Sequence, residues 1–290
     1  MYYLIITILT ATAILLVFKI AGKYKANNLH LITINYFIAA CLGTIISLSQ
    51  GSDINYIHYD WFGWSVLYGI YFILGFLLFG YSTQKSGIAS TAISSRVSVI
   101  IPVILGFLLF KEQINNYIII GIAIAVIALI LINLPSKNLA LKNNSRNNWI
   151  MILPILVFFI IGINDSIIKI AQHYFIKNND YSEFISSCFF FSSIGGFIII
   201  LINRLSGKKT KLSSSSIVLG CILGVINYIN FYFLIKGLAQ MNVSVFMPIY
   251  NVGVVVLSSL IGIIAFKEKL SKTNIIGIVL AVIAIILLTI

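Results

Sequence analysis

Apolar residues run along this chain in long blocks separated by short polar breaks, without the two-residue alternation of half-buried strands. The blocks lie at 2–20, 29–49, 60–82, 88–109, 115–134, 149–170, 181–202, 216–236, 242–265 and 273–290. Each is close to the roughly 20 apolar residues that cross a bilayer as a helix. Barrel strands are about half that length and alternate, so helix is the form that satisfies every backbone group in lipid. The pattern predicts an all-α membrane protein with ten transmembrane helices. The longest break, Ser136–Asn148, is polar and Asn-rich and falls between the fifth and sixth blocks.

The two sets of five blocks repeat one another. Phe110–Ile132 (FKEQINNYIIIGIAIAVIALILI) and Phe266–Leu288 (FKEKLSKTNIIGIVLAVIAIILL) share thirteen of 23 positions at a constant offset of 156. The informative matches are Phe-Lys-Glu and the glycine nine residues after the glutamate, Gly121 and Gly277. Lys19 and Tyr24 match Lys169 and Tyr174 at an offset of 150, and Ser90 matches Ser244 where the fourth and ninth blocks begin. Five is odd, so the second copy enters the membrane from the opposite side. The expectation is two inverted five-helix repeats, 1–135 and 149–290, joined by a linker at 136–148, with a site near the midplane between the halves.

Composition narrows the function. The 290 residues are 60% hydrophobic and 9% charged, against roughly 25% charged in soluble domains, so lipid is the solvent for most of the surface. The net charge of +12 lies between apolar blocks rather than on a basic domain, which argues against nucleic acid. Fourteen of the nineteen Lys and Arg residues fall in odd-numbered connections and four in even-numbered ones. The positive-inside rule then puts the odd connections in the cytoplasm and both termini outside. The first block starts at Met1 without a basic leader and is too long for a cleavable signal core. Cys41, Cys188 and Cys221 sit in apolar blocks without metal-type spacing and read as small hydrophobes. No HExxH, GxSxG or phosphate-binding loop occurs, and the connections are too short for an extramembrane domain, so neither an enzyme, a metal nor a cofactor is expected.

Arg96 is the most telling residue. It lies inside the fourth block, where an arginine costs at least ~2.5–3.5 kcal/mol unless it faces a polar interior. It reads as an anion-binding cation or as a structural partner. Asp165, midway along the sixth block, is the matching acid and the expected proton carrier, the other six acidic residues falling in connections or at block ends. A fixed pair with Lys169, four residues on, or with Arg96 is the alternative. Lys19 and Lys169 read as gate residues or as interfacial lysines. Asn35, Tyr36, Asn227, Tyr228, Tyr250 and Asn251 supply amides and phenols that need partners in lipid. Together these groups suit a small organic solute with polar and apolar parts. Glu112 and Glu268, just before the fifth and tenth blocks, read as orienting and capping residues. Pro102 and Pro248 interrupt the fourth and ninth blocks, and the Gly121–Ala125 and Gly277–Ala281 faces suit helix packing, including packing between protomers of a homodimer.

Two five-block repeats, each closing on a Phe-Lys-Glu turn and an Ile-Ile-Gly-Ile helix, resemble the EamA-type branch of the drug/metabolite transporter superfamily. The Gly87-Ile88-Ala89-Ser90 start and the run from Pro248 to Gly253 are similar to it as well. The resemblance covers essentially the whole chain. It implies a secondary transporter, an exporter of metabolites or drugs working by alternating access, and cytoplasmic termini, opposite to the loop charges. The expected function is movement of a small organic solute across the inner (plasma) membrane, with protons as a coupling ion through Asp165. A flippase for an anionic lipid or lipid-linked sugar, and a non-transporting membrane scaffold, are the competing readings.

Overall fold

In the computed structural model, which describes residues 1–52, 55–86, 88–112, 115–133, 148–177, 180–207, 212–266 and 271–289, all regular structure among those residues is helical. The helices are α1 (Tyr2–Lys23), α2 (Asn28–Ser49), α3 (Phe62–Ser86), α4 (Ile88–Val97), α5 (Ile100–Phe110) and α6 (Asn116–Asn133), followed by α7 (Asn148–Ile170), α8 (Tyr181–Leu205), α9 (Ser214–Gln240), α10 (Val243–Phe266) and α11 (Lys272–Thr289). Nine segments among the described residues are long and apolar enough to cross a membrane, α4 and α5 counting together, and the shorter Asn116–Ile132 stands at the fifth block. The chain is a multi-pass membrane protein. The linker at 136–148, except Asn148, and the Lys267-Glu268 pair lie outside the described residues.

The helices form two compact units, and each draws on both sequence halves. The first comprises Met1–Ile73 and Ile170–Ala239; the second comprises Leu74–Lys169 and Gln240–Ile290. In the first unit α8 packs on α2 through small and hydroxylated residues. Ser186 Oγ donates to the Ala40 carbonyl at 2.9 Å and lies 2.7 Å from Thr44 Oγ1. Helix α9 also reaches α2: a Cβ added at Gly224 would meet the Asn35 carbonyl oxygen at 2.8 Å. In lipid no hydrophobic force drives helices together, so close packing and interhelical hydrogen bonds hold such seams.

In the second unit α6 packs against α11. Ala125, Ala128, Leu129, Ala281 and Ala284 form one buried cluster with Val252 and Val255 of α10. A Cβ on Gly277 would meet the Ile132 backbone nitrogen at 2.8 Å. Asn274 Nδ2 donates to the Leu131 and Ile132 carbonyls at 3.2 and 2.7 Å, satisfying acceptors that the end of α6 leaves open. The two small-residue faces expected to serve packing, including between protomers, are thus occupied by each other within one chain.

The fourth block is broken where a kink was expected. Pro102 has no N–H for the Ser98 carbonyl, which accepts from Ile101 N at 2.9 Å instead; Val99 N likewise turns back to the Arg96 carbonyl at 3.4 Å. Tightened three-residue turns replace α-helix there and separate α4 from α5 directly after Arg96. Pro248 leaves α10 continuous.

Candidate functional site

The expected site residues fall into two sets, one in each unit. Arg96, Asp165, Lys169, Tyr250 and Asn251 belong to the second unit, and Lys19, Asn35, Tyr36, Asn227 and Tyr228 to the first.

In the second unit the set is built around Arg96. It sits in the last turn of α4, where the negative end of the helix dipole favours a cation. Arg96 Nη1 donates to Asn251 Oδ1 at 3.1 Å. Asn251 is itself fixed: its Nδ2 donates to the Met247 carbonyl one turn back at 3.1 Å, which leaves Oδ1 for the guanidinium. Asp165 of α7 and Tyr250 of α10 lie within electrostatic range of Arg96. Arg96, Asp165 and Tyr250 are half-buried, while Asn251 is buried. The Ser90–Ser244 offset of 154 makes Tyr250 the repeat counterpart of Arg96. Chemically, the arrangement offers a fixed guanidinium with several donors that have no partner among the described residues and could fork onto an anionic group, and a carboxylate in its neighbourhood.

Lys169, in the last turn of α7, is packed inside the unit. It is 6% exposed, its Nζ lies 5.4 Å from the Phe110 ring centroid, and its charged neighbour is Glu112. Of the two pairings expected for Asp165, the one with Arg96 is the neighbourhood observed. Lys19, the repeat counterpart of Lys169, is exposed at the end of α1.

Glu112 caps a helix, though not the one it precedes. Its Oε1 accepts from Val243 N at 2.7 Å, and its Oε2 accepts from Ser244 N at 3.0 Å and Ser244 Oγ at 2.6 Å. The carboxylate therefore closes the N-terminus of α10, where unsatisfied N–H groups and the dipole favour an anion. Two local features aim it. Lys111 ends α5 in the left-handed region at φ 51°, and Gly106 leaves the room that its Cβ would take from Glu112 Oε2, 2.9 Å away.

In the first unit the expected groups are tied to one another. Asn227 Nδ2 donates to Asn35 Oδ1 at 3.2 Å between α9 and α2. Tyr228 Oη donates to Ser182 Oγ at 3.1 Å. Tyr36 is packed among rings, 5.1 Å from Phe72 and 5.8 Å from Phe189 between centroids. Sequence reasoning passed over Glu183, which is 2% exposed in the first turn of α8. The available signal was the run of small hydroxylated residues around it, Ser182, Ser186 and Ser187, which marks a helix face that packs rather than one that meets water.

Comparison with known proteins agrees with this architecture. The EamA-like transporter family matches residues 1–134 and 148–290, one stretch in each sequence half. An uncharacterized protein of Haemophilus influenzae is 27% identical over 295 residues, spanning 98% of this chain and 96% of that one. A protein of known crystal structure shares the fold with a TM-score of 0.80 at 14% identity, over 99% of this chain and 95% of its own.

Proposed function

The chain belongs to the EamA-like transporter family, and from that premise we propose a secondary transporter of the inner (plasma) membrane that exports a small organic solute carrying an anionic group. The observation that supports this reading is the half-buried Arg96, held on Asn251 with Asp165 and Tyr250 in reach. A cation set among spans, with donors unused among the described residues and a neutral amide as its hydrogen-bond partner, suits an anion that arrives and leaves. The break between α4 and α5 beside Arg96 suits an element that shifts during alternating access of the two inverted repeats, 1–135 and 149–290. Lys19 and Lys169, on repeat-related helices, serve as gate residues in this cycle, and Asp165 carries the coupling proton.

The test is uptake and counterflow in proteoliposomes containing the full chain, with pooled labelled carboxylates and amino acids as probes. Wild type is expected to show saturable flux driven by a pH gradient. Arg96→Ala removes it, and Asp165→Asn keeps counterflow but loses the pH-driven component. Equal flux in Arg96→Ala refutes the site. Movement of anionic lipid alone replaces a soluble solute with a lipid headgroup as the cargo.

A further inference from the structure

The two ends of the first unit differ in charge. Its four acids, Asp53, Asp60, Asp180 and Glu183, all fall in sequence between α2 and α3 or at the start of α8, and the stretches 1–52 and 184–239 contain none. At that end the cations have partners: Lys177 pairs with Asp60 at 2.8 Å, and Lys236 Nζ lies 4.6 Å from the Tyr232 ring centroid. The opposite end, where α1 passes into α2 and α8 stops, carries Lys23, Lys25 and Arg204, all exposed.

Packing brings these cations to one surface. Asn27 N donates to Ser216 Oγ at 2.8 Å, which ties the α1–α2 turn to the first turn of α9. Gly196 of α8 packs on Thr33 of α2 and Ser186 on Gly43, so α8 runs antiparallel to α2 and Arg204 reaches the level of that turn. The helix ends here are closed by other groups. Ala26 N donates to the Ala21 carbonyl at 3.0 Å and Ser206 N to that of Ile202 at 2.9 Å. Asn27 Oδ1 accepts from Leu29 N at 3.0 Å, and Ser213 Oγ from Ser216 N at 3.2 Å. The cations are therefore not needed as caps, and Lys25 stands outside any helix, in the left-handed region at φ 50°. Large apolar side chains adjoin them in sequence: Tyr24 is 62% and Leu205 78% exposed.

We propose that this end of the first unit binds the headgroups of anionic phospholipids, with phosphate against Lys23, Lys25 and Arg204 and acyl chain beside Tyr24 and Leu205. Helix dipoles favour Lys23 and Arg204 in the last turns of α1 and α8, and loop charge sets orientation, but neither supplies a counter-charge. An anionic leaflet supplies it, since basic groups at a bilayer surface attract such lipids and a guanidinium forks onto phosphate. A soluble anion meets the cations equally well but leaves the adjoining apolar side chains unused. The lipid is held at the surface and not carried across, so the site does not depend on the transport reading.

The experiment is native mass spectrometry of the full-length protein with phosphatidylglycerol and phosphatidylcholine of the same acyl chains as probes. Wild type is expected to bind phosphatidylglycerol about tenfold more tightly. The combined variant Lys23→Gln, Lys25→Gln, Arg204→Gln loses most of that preference, and Lys177→Gln with Lys236→Gln, at the other end, keeps it. Arg96→Ala keeps it as well, whatever its flux, so failure of the transport reading leaves this result standing. The inference is overturned if wild type shows no preference, or if the triple variant retains it. Loss of the preference in Arg96→Ala overturns it too, by moving the lipid to the transport site. Binding of glycerol phosphate or a soluble acidic peptide as tight as that of phosphatidylglycerol also overturns it. Should the triple variant fail to fold, an unmoved preference in Lys25→Gln alone overturns it instead.

Discussion

Two pairs of repeat-related helices have fared differently. Helices α6 and α11 have stayed alike: both are apolar after their opening turns, both carry a glycine and alanines on one face, and those faces pack on each other. Segments α4–α5 and α10 have diverged. One is broken at Ser98 and Val99 and carries Arg96; the other is continuous and presents Tyr250 and Asn251. The alike pair is bound by close packing, in which each copy must keep what the other needs. The unlike pair is joined by a donor on one copy and an acceptor on the other, which identical copies do not supply. Likeness marks the part that holds the unit together, and difference marks its chemistry.

Substitutions can pull these two properties apart. The largest effect on stability is expected from Gly277→Leu. Its side chain enters the space of the Ile132 backbone, and overpacking of this kind costs about 3 kcal/mol. The measurement is the thermal midpoint in detergent, together with solute affinity in whatever fraction folds. A lowered midpoint with unchanged affinity agrees with the comparison, and altered affinity at an unchanged midpoint breaks it.

Asn251→Ala is the converse. It removes the acceptor that fixes Arg96, a charge-assisted hydrogen bond worth about 1.5 kcal/mol, so apparent affinity falls roughly tenfold. The midpoint should move less than in Gly277→Leu. Unchanged affinity in a binding titration would detach Asn251 from the site.

The smallest effect is expected from Pro102→Ala, which restores an N–H for the Ser98 carbonyl. Pro102 stands in the first turn of α5, so the gain is about 1 kcal/mol rather than the ~3 kcal/mol of a helix-interior proline. The midpoint should rise while turnover slows severalfold. Faster or equal turnover would show that the break is not used in the cycle.

The apolar blocks were legible because lipid leaves a spanning backbone little alternative to helix, and each block holds a helical segment within a few residues of the expected bounds. Arg96 and Asn251 were legible for the same reason, as groups too costly to leave without a partner. Pairings between distant residues were not. Nothing local tells Glu112 to cap α10, because Val243 is 131 residues away and the adjacent α6 is an equally good address for an anion. Glu183 stood at the edge of its block, grouped with the other acids of connections and block ends; only the serine face of α8 against α2 takes it out of solvent. The break after Arg96 was half legible, since Pro102 announces a disturbance but does not say on which side the helix gives way.

The capping of α10 by Glu112 bears on how the chain is made. The glutamate leaves the ribosome 131 residues before the backbone amide it closes, so for a little under half of synthesis the helix end it binds in the finished protein is absent. Only when α10 arrives can the acid make its three bonds to Val243 and Ser244, so a chain cut short before Val243 lacks this closure. The bond works as a late clasp, and completion of the second unit waits for nearly the whole polypeptide.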